Sequence, residues 1–366
     1  MINLRFILIN DKKKRILSLD GGGIRGIISI EVLAQIEKQV REAYGQPDMV
    51  LANYFHMVAG TSTGAIIATL ISMGWSVENI RHFYVDQGKE MFDHSHWWQI
   101  LRHRYSGERL KELLQREIGH ETLGSTKLKT LLMLVMRNVT TDEPWVVSNN
   151  KACRFNQADR HDCQLNLPLW QLVRASTAAP SFFPPETIQV GEHAFVFVDG
   201  SISSYTNPAF SAFLRAVAKP YDIGWEAGED NILVVSVGTG TAPHRMQDFQ
   251  AKDYGVVQAA TTVPTSLILS SVIEQDTLCR IFGNCLNGNQ LDKEIGDLVG
   301  MEAPGGKHLF TYVRYNEDLT PAGMLRMGLS HMDLQQVQRI DATEHIEDLI
   351  KIGEKIALQV KAEHLT

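Results

Sequence analysis

The stretch Ile16-Leu17-Ser18-Leu19-Asp20-Gly21-Gly22-Gly23-Ile24-Arg25-Gly26 decides how this chain is read. A compact β-like run ends in an acid and three consecutive glycines, after which Val32, Leu33, Ile36, Val40 and Ala43 mark one face of a helix. Strand, bare turn and helix in that order form a nest of backbone amides at a helix N-terminus, where negative charge is favoured. With no β-carbons in the way, the amides of Gly22 and Gly23 can approach an oxyanion to about 2.7–3.1 Å. Arg25 adds a cation on the same turn. Gly21, Gly23 and Gly26 also satisfy G-x-G-x-x-G, so a dinucleotide-binding turn competes with this reading. It would need an acid at the end of a second strand about twenty residues on. The residues there are Glu42, inside the helical pattern, and Asp48, just past Pro47. A phosphate-binding loop fits less well, because no Gly-Lys-Ser or Gly-Lys-Thr follows the glycines.

Outward from that turn, Tyr54-Phe55-His56-Met57-Val58-Ala59 leads into Gly60-Thr61-Ser62-Thr63-Gly64, and Ile66, Ile67, Leu70 and Ile71 then recur at helical spacing. G-x-S-x-G between a strand and a helix lets the chain turn sharply at Gly60 and Gly64 and leaves the serine hydroxyl exposed on a strained corner. The unpaired amides of the helix start would favour charge developing on the Ser62 oxygen. A glycine-serine turn that merely caps a helix has the same letters. Acyl transfer also needs a base. None of the 13 histidines stands in a distinctive local motif. A clearer candidate is acidic: Ala194-Phe195-Val196-Phe197-Val198 ends in Asp199-Gly200-Ser201, which puts a carboxylate at the edge where open α/β sheets build their sites. Asp199 could take the Ser62 proton directly if ionised and within hydrogen-bond reach, although Asp-Gly after a strand is also an ordinary turn signal.

Taken together and in this order, Asp20-Gly-Gly-Gly-Ile-Arg25-Gly26, Gly60-Thr-Ser62-Thr-Gly64 and Asp199-Gly200 resemble the patatin-like phospholipases. Ala175-Ser-Thr-Ala-Ala-Pro180-Ser-Phe-Phe-Pro-Pro185 resembles the small-residue and proline stretch that the family carries ahead of its aspartate. The resemblance covers about residues 15–240. It implies lipid acyl hydrolysis by a Ser-Asp dyad without a catalytic histidine, with Ser62 as nucleophile, Asp199 as base, and Gly22, Gly23 and Arg25 around the oxyanion. It further implies an acyl-Ser62 intermediate: Asp199 takes the serine proton, protonates the leaving alcohol and then activates water. No cofactor or metal is implied, calcium included. Family members often continue Asp-Gly with Gly or Ala, whereas Ser201 stands here. Some bacterial members are effectors switched on by cyclic nucleotides, and a chain of this length with a helical tail is compatible with such an activator.

Composition sets the bounds. The 366 residues are 44% hydrophobic and 21% charged, as expected of a globular enzyme, and the net charge of -7 argues against nucleic acid as a partner. That charge also requires any contact with anionic lipid to be local. Cys153, Cys163, Cys279 and Cys285 are too few and too widely spread for a disulfide framework. A zinc site from Cys153, His161 and Cys163 competes with two simply packed or surface thiols. Phe6 to Ile9 is too short for the core of a signal peptide, and no apolar run approaches bilayer length. The expectation is a cytoplasmic protein that meets membranes peripherally, with phospholipid as substrate.

Further along, 131–139 and 145–147 read as strands, 169–178 as a helix and 231–237 as a buried strand. The alternation predicts a three-layer α/β/α fold with a largely parallel central sheet. One domain is expected over 1–366, its core at about 12–240 and residues 241–366 a mostly helical extension packed on it. Within that extension, 253–278 and 332–365 read as two long helices, suited to covering the sheet, to a homo-oligomer contact or to a regulator. Phe92 to Tyr105, with Trp97, Trp98 and several basic residues, is the candidate lipid-contact segment. A helix packing both tryptophans onto the core has the same pattern.

Overall fold

A computed structural model describes residues 13–92, 103–180, 182–243 and 255–366. The strands are β1 (Lys14–Leu19), β2 (Met57–Thr61), β3 (Leu131–Asn138), β4 (Glu143–Ser148), β5 (Glu186–Val190), β6 (His193–Asp199), β7 (Ile232–Val237), β8 (Asn284–Asn287) and β9 (Thr311–Tyr315). The helices are α1 (Gly26–Tyr44), α2 (Thr63–Ser72), α3 (Val77–Phe92), α4 (His103–Ile118), α5 (Leu169–Ser176), α6 (Ala209–Val217), α7 (Val256–Phe282), α8 (Pro321–Arg326), α9 (Leu334–Val337) and α10 (Ile346–Ala357).

All nine strands join one mixed sheet. Its centre is parallel, running β3-β2-β1-β7-β9-β8, while β4, β5 and β6 pair antiparallel at the β3 end. Central parallel strands are apolar on both faces because helices cover both. Leu17, Leu19, Val58, Leu132, Leu134, Leu233 and Val235 face one core, which α1, α2, α3, α5 and α10 close. Ile16, Met57, Ala59, Met133, Val135, Ile232 and Val234 alternate with them and face a second core under α6 and the end of α7. This is the three-layer arrangement that the alternating pattern predicts.

The region after residue 240 differs in part from its reading as helices. It also contributes β8 and β9 to the sheet, and β9 lies directly against β7. The single long helix expected over 332–365 is divided into α9, two 3-10 turns and α10. The division has a tertiary cause. The Ile340 carbonyl accepts the amide of Ile24 at 2.9 Å, a bond at the glycine turn that takes it out of a helical ladder. α10 packs on α1, where Gly353 allows close approach to Glu31. Most of the candidate lipid-contact segment, with Trp97 and Trp98, lies outside the described residues.

Candidate active site

Ser62 sits between β2 and α2 with φ 55° and ψ -124°, a conformation that L-residues rarely adopt. The corner is possible because its flanking glycines have no side chains: a β-carbon on Gly60 would strike the Gly64 carbonyl, and one on Gly64 would lie 2.8 Å from the Asp20 carbonyl oxygen. The turn is locked from the side. The Ser62 amide donates to Ser176 Oγ at 2.9 Å, and that hydroxyl donates to the Val135 carbonyl at 2.5 Å. Ser176 ends α5, and neither its spacing nor its local pattern marks this role.

β3 brings the two chemically important side chains together. Val135 lies opposite Thr61 of parallel β2, and the next residue, Met136, lies opposite Asp199 of antiparallel β6. β4 occupies the other edge of β3 over residues 133–138, so β2 and β6 share one edge and meet there end to end. The result is a hydrogen bond of 2.6 Å from Ser62 Oγ to Asp199 Oδ2, across 137 residues of sequence. The second carboxylate oxygen, Oδ1, accepts the amide of Ser201 at 2.7 Å, which fixes the ring-like Asp-Gly-Ser turn. Asp199 is 2% exposed and Ser62 8%. Burial lifts the Asp199 carboxyl from an ordinary 3.8 to about 6, and the hydrogen bonds from Ser62 and Ser201 and the charge of Arg174 offset part of that rise. At neutral pH it is therefore an ionised carboxylate and a stronger proton acceptor than a solvated one.

The glycine turn follows β1, the parallel neighbour of β2. The amide of Gly21 donates to the Thr206 carbonyl, that of Ile24 to Ile340 and that of Arg25 to Gly22. Among the backbone bonds of the described residues the amides of Gly22 and Gly23 have no acceptor. Both glycines line a cavity of about 840 Å³ that also contains Ser62 and Asp199. Gly23 has φ 61°, which an L-residue would strain to adopt. Asp20 is tied by two hydrogen bonds to the buried guanidinium of Arg314 on β9, at 2.9 and 2.5 Å, 294 residues away in sequence. Arg25 also lines the cavity; burial lowers its pKa to about 10, and its Nε and Nη1 are sealed without hydrogen-bond partners. Phe92, Phe182, Phe183, Leu267 and Ile268 make much of the remaining wall apolar.

Every sequence-predicted site residue, Gly22, Gly23, Arg25, Gly60, Ser62, Gly64 and Asp199, thus converges on one place; Ser201, noted in the sequence as a departure from the family pattern, fixes the Asp199 carboxylate, while Ser176, Arg314 and Ile340 escaped sequence reasoning. No histidine of the described residues lines the cavity. His308 instead contacts the Met301 carbonyl at 2.9 Å and Glu229 at 3.4 Å, and His244 lies outside the described residues. Cys153, His161 and Cys163 are not gathered into a ligand set: among the described residues no group of three His, Cys, Asp or Glu side chains could hold a metal ion. The geometry supplies a hydroxyl on a proton acceptor, two glycines of the cavity wall whose amides have no backbone acceptor, and an apolar chamber beside them, the kinds of part acyl transfer uses.

Known proteins resemble the chain over most of its length. Patatin-17 of Solanum cardiophyllum is 28% identical over 322 residues, which span 78% of this chain and 80% of that protein. A protein of Arabidopsis thaliana named probable inactive patatin-like protein 9 is 27% identical over 316 residues, spanning 82% of this chain and 79% of its own. Among solved structures, VipD from Legionella pneumophila aligns with 93% of this chain and 67% of that one at 13% identity, with a TM-score of 0.38. The family model described as patatin-like phospholipase matches residues 17–213, a span that runs from β1 through both glycine-flanked turns and Asp199 into α6. The chain belongs to the patatin-like phospholipase family.

Proposed function

We propose that the protein is a lipid acyl hydrolase of the phospholipase A or lysophospholipase type. It cleaves carboxylic esters of membrane glycerophospholipids through an acyl-Ser62 intermediate. The observation that carries this reading is the 2.6 Å contact of Ser62 Oγ with Asp199 beside the unpaired amides of Gly22 and Gly23. Asp199 accepts the serine proton as Ser62 Oγ attacks the ester carbonyl. The amides of Gly22 and Gly23, with the Arg25 cation, stabilise the oxyanion. The proton then passes to the departing alcohol, and Asp199 activates the water that frees Ser62. Phe92, Phe182, Phe183, Leu267 and Ile268 suit an acyl chain rather than a charged substrate.

A relative named probable inactive shows why membership alone does not decide activity; the intact Ser62–Asp199 pair supports it here. Labelling by a fluorophosphonate tests the nucleophile. An adduct on Ser62 that disappears in Asp199→Asn is expected, and a wild-type protein that takes no label would instead be a ligand-gated interaction protein. Among the described residues no helix is long and apolar enough to cross a membrane. We place the reaction at a membrane surface reached from the cytoplasm. Incubation with mixed lipid vesicles and with short soluble esters, beside Ser62→Ala, separates a phospholipase from a carboxylesterase or neutral lipase with the same dyad. Repeating it with a cyclic-nucleotide panel, and measuring mass in solution, tests the proposed activator and homo-oligomer.

A further inference from the structure

The small-residue stretch that begins at Ala175 has no step in the proposed chemistry, yet Ser176-Thr177-Ala178, where α5 ends, touches both members of the dyad. Ser176 Oγ accepts the Ser62 amide at 2.9 Å, and two residues on, the Ala178 carbonyl accepts the Asp199 amide at 2.9 Å. Ser62 and Asp199 are 137 residues apart in sequence, and three consecutive residues of another segment hold the main chain of each. That segment is itself fixed. Ser176 is fully buried and donates to the Val135 carbonyl. The Thr177 amide donates to the carbonyls of Val173 and Arg174 at 3.1 and 3.2 Å, and its hydroxyl to the Arg174 carbonyl at 3.0 Å. Val135 also lies opposite Thr61, and a β-carbon on Gly200 would strike its carbonyl oxygen. The residue before the nucleophile, the residue after the base and the Ser176 hydroxyl therefore all meet at one peptide of β3.

The corner at Ser62 needs such a restraint. A strained residue keeps its conformation only where its surroundings over-determine it. Gly60 and Gly64 permit the corner, but glycine's freedom does not select it. On the far side, Tyr84 holds the next residue, its hydroxyl lying 3.1 Å from the Thr63 carbonyl and 2.6 Å from Thr63 Oγ1. On the near side Ser176 is the restraint. Its hydroxyl accepts from an amide and donates to a carbonyl at once, which no apolar side chain can do. The Ser62 amide is occupied by this bond, so charge on an attacked carbonyl is left to the amides of the glycine turn.

We propose that Ser176 is a positioning residue: it pins the Ser62 main chain to the same short segment that holds Asp199, and so sets the distance between nucleophile and base. The inference rests on the proposed Ser62–Asp199 dyad.

Two measurements on the full-length protein test it, the rate of fluorophosphonate labelling and the pH dependence of kcat/KM for a short soluble ester. Ser176→Ala should label about ten- to a hundredfold more slowly, with KM for the ester little changed. Its acid limb should also move to higher pH, because a Ser62 hydroxyl drawn out of reach no longer holds the Asp199 carboxyl down. Ser176→Cys, close in shape but a weak hydrogen-bond partner, should do the same and decides the matter if the alanine variant does not fold. Ser176→Thr keeps the hydroxyl and should restore both the rate and the limb. Gln171→Ala removes bonds of 2.9 and 3.0 Å to Glu186 and the Thr187 carbonyl near the other end of α5. It should lower the melting temperature and leave the limb in place. A folded Ser176→Ala or Ser176→Cys protein that labels at the wild-type rate with its limb unmoved overturns the positioning role alone. A wild-type protein that takes no label overturns the dyad, and the positioning role with it.

Discussion

At Asp199 two demands oppose each other: the proposed chemistry needs a charged carboxylate, and the site is buried. Its carboxyl stands at about 6 in the fold against 3.8 in the unfolded chain. Between those values the native state holds the proton and the unfolded state releases it, so stability contributed by this group falls as pH rises. Above pH 6 the buried charge costs on the order of 3 kcal/mol. Asp199→Asn should therefore raise the melting temperature at pH 8 while removing ester hydrolysis, and its gain should vanish below about pH 4. For the wild type, kcat/KM on a soluble ester should fall about tenfold per pH unit below about 6, because only the ionised carboxylate accepts the serine proton. A profile flat from pH 4 to 8 would remove Asp199 from the role of base. The turn opposite makes a separate demand. A β-carbon on Gly22 would lie 2.6 Å from Thr239 Cβ. Gly22→Ala should displace the turn and reduce kcat by about 10²- to 10³-fold, the usual loss for one oxyanion donor, with fluorophosphonate reactivity falling alongside it.

At the scale of elements, the strand-turn-helix units were legible because their signals are local. Ile16 to Leu19 before three glycines, and the apolar run before Gly60, announce a strand, a corner and a helix within a dozen residues. Asp199 was legible as the end of an apolar strand. Its contact with Ser62 follows from pairing along β3, which is long-range, and no sequence period records it. β9 was missed for a related reason: Thr311–Tyr315 is only five residues long and carries a buried arginine. That arginine reads as a surface group until its partner, Asp20, is found beside it. Arg314→Met should leave Asp20 buried and unpaired and destabilise the fold by about 3–5 kcal/mol. Adding Asp20→Asn should recover part of the loss. Urea denaturation of both variants measures the coupling, and purely additive losses would show that the pair is not a unit.

For the whole molecule, the layered architecture was legible from alternating strands and helices, and the role of the last third was not. Residues 332–365 have a helical period, but tertiary bonds at Ile340 overrule it, and α10 closes the core over α1. A chain ended after residue 240 would lose β9 from the edge of β7, the partner of Asp20 and the cover of α1. It should fail to give a cooperative thermal transition, and circular dichroism of that fragment checks this. A fragment that melts cooperatively and labels at Ser62 would show the first 240 residues to be self-sufficient.

Ile340 and Arg314 have one more implication, for biosynthesis. Translation delivers the Ser62 and Asp199 segments first, yet the bend facing them is propped by groups encoded more than a hundred codons later. On the proposed reading, a nascent polypeptide still tethered to the ribosome carries its lipolytic pair without a finished anion pocket.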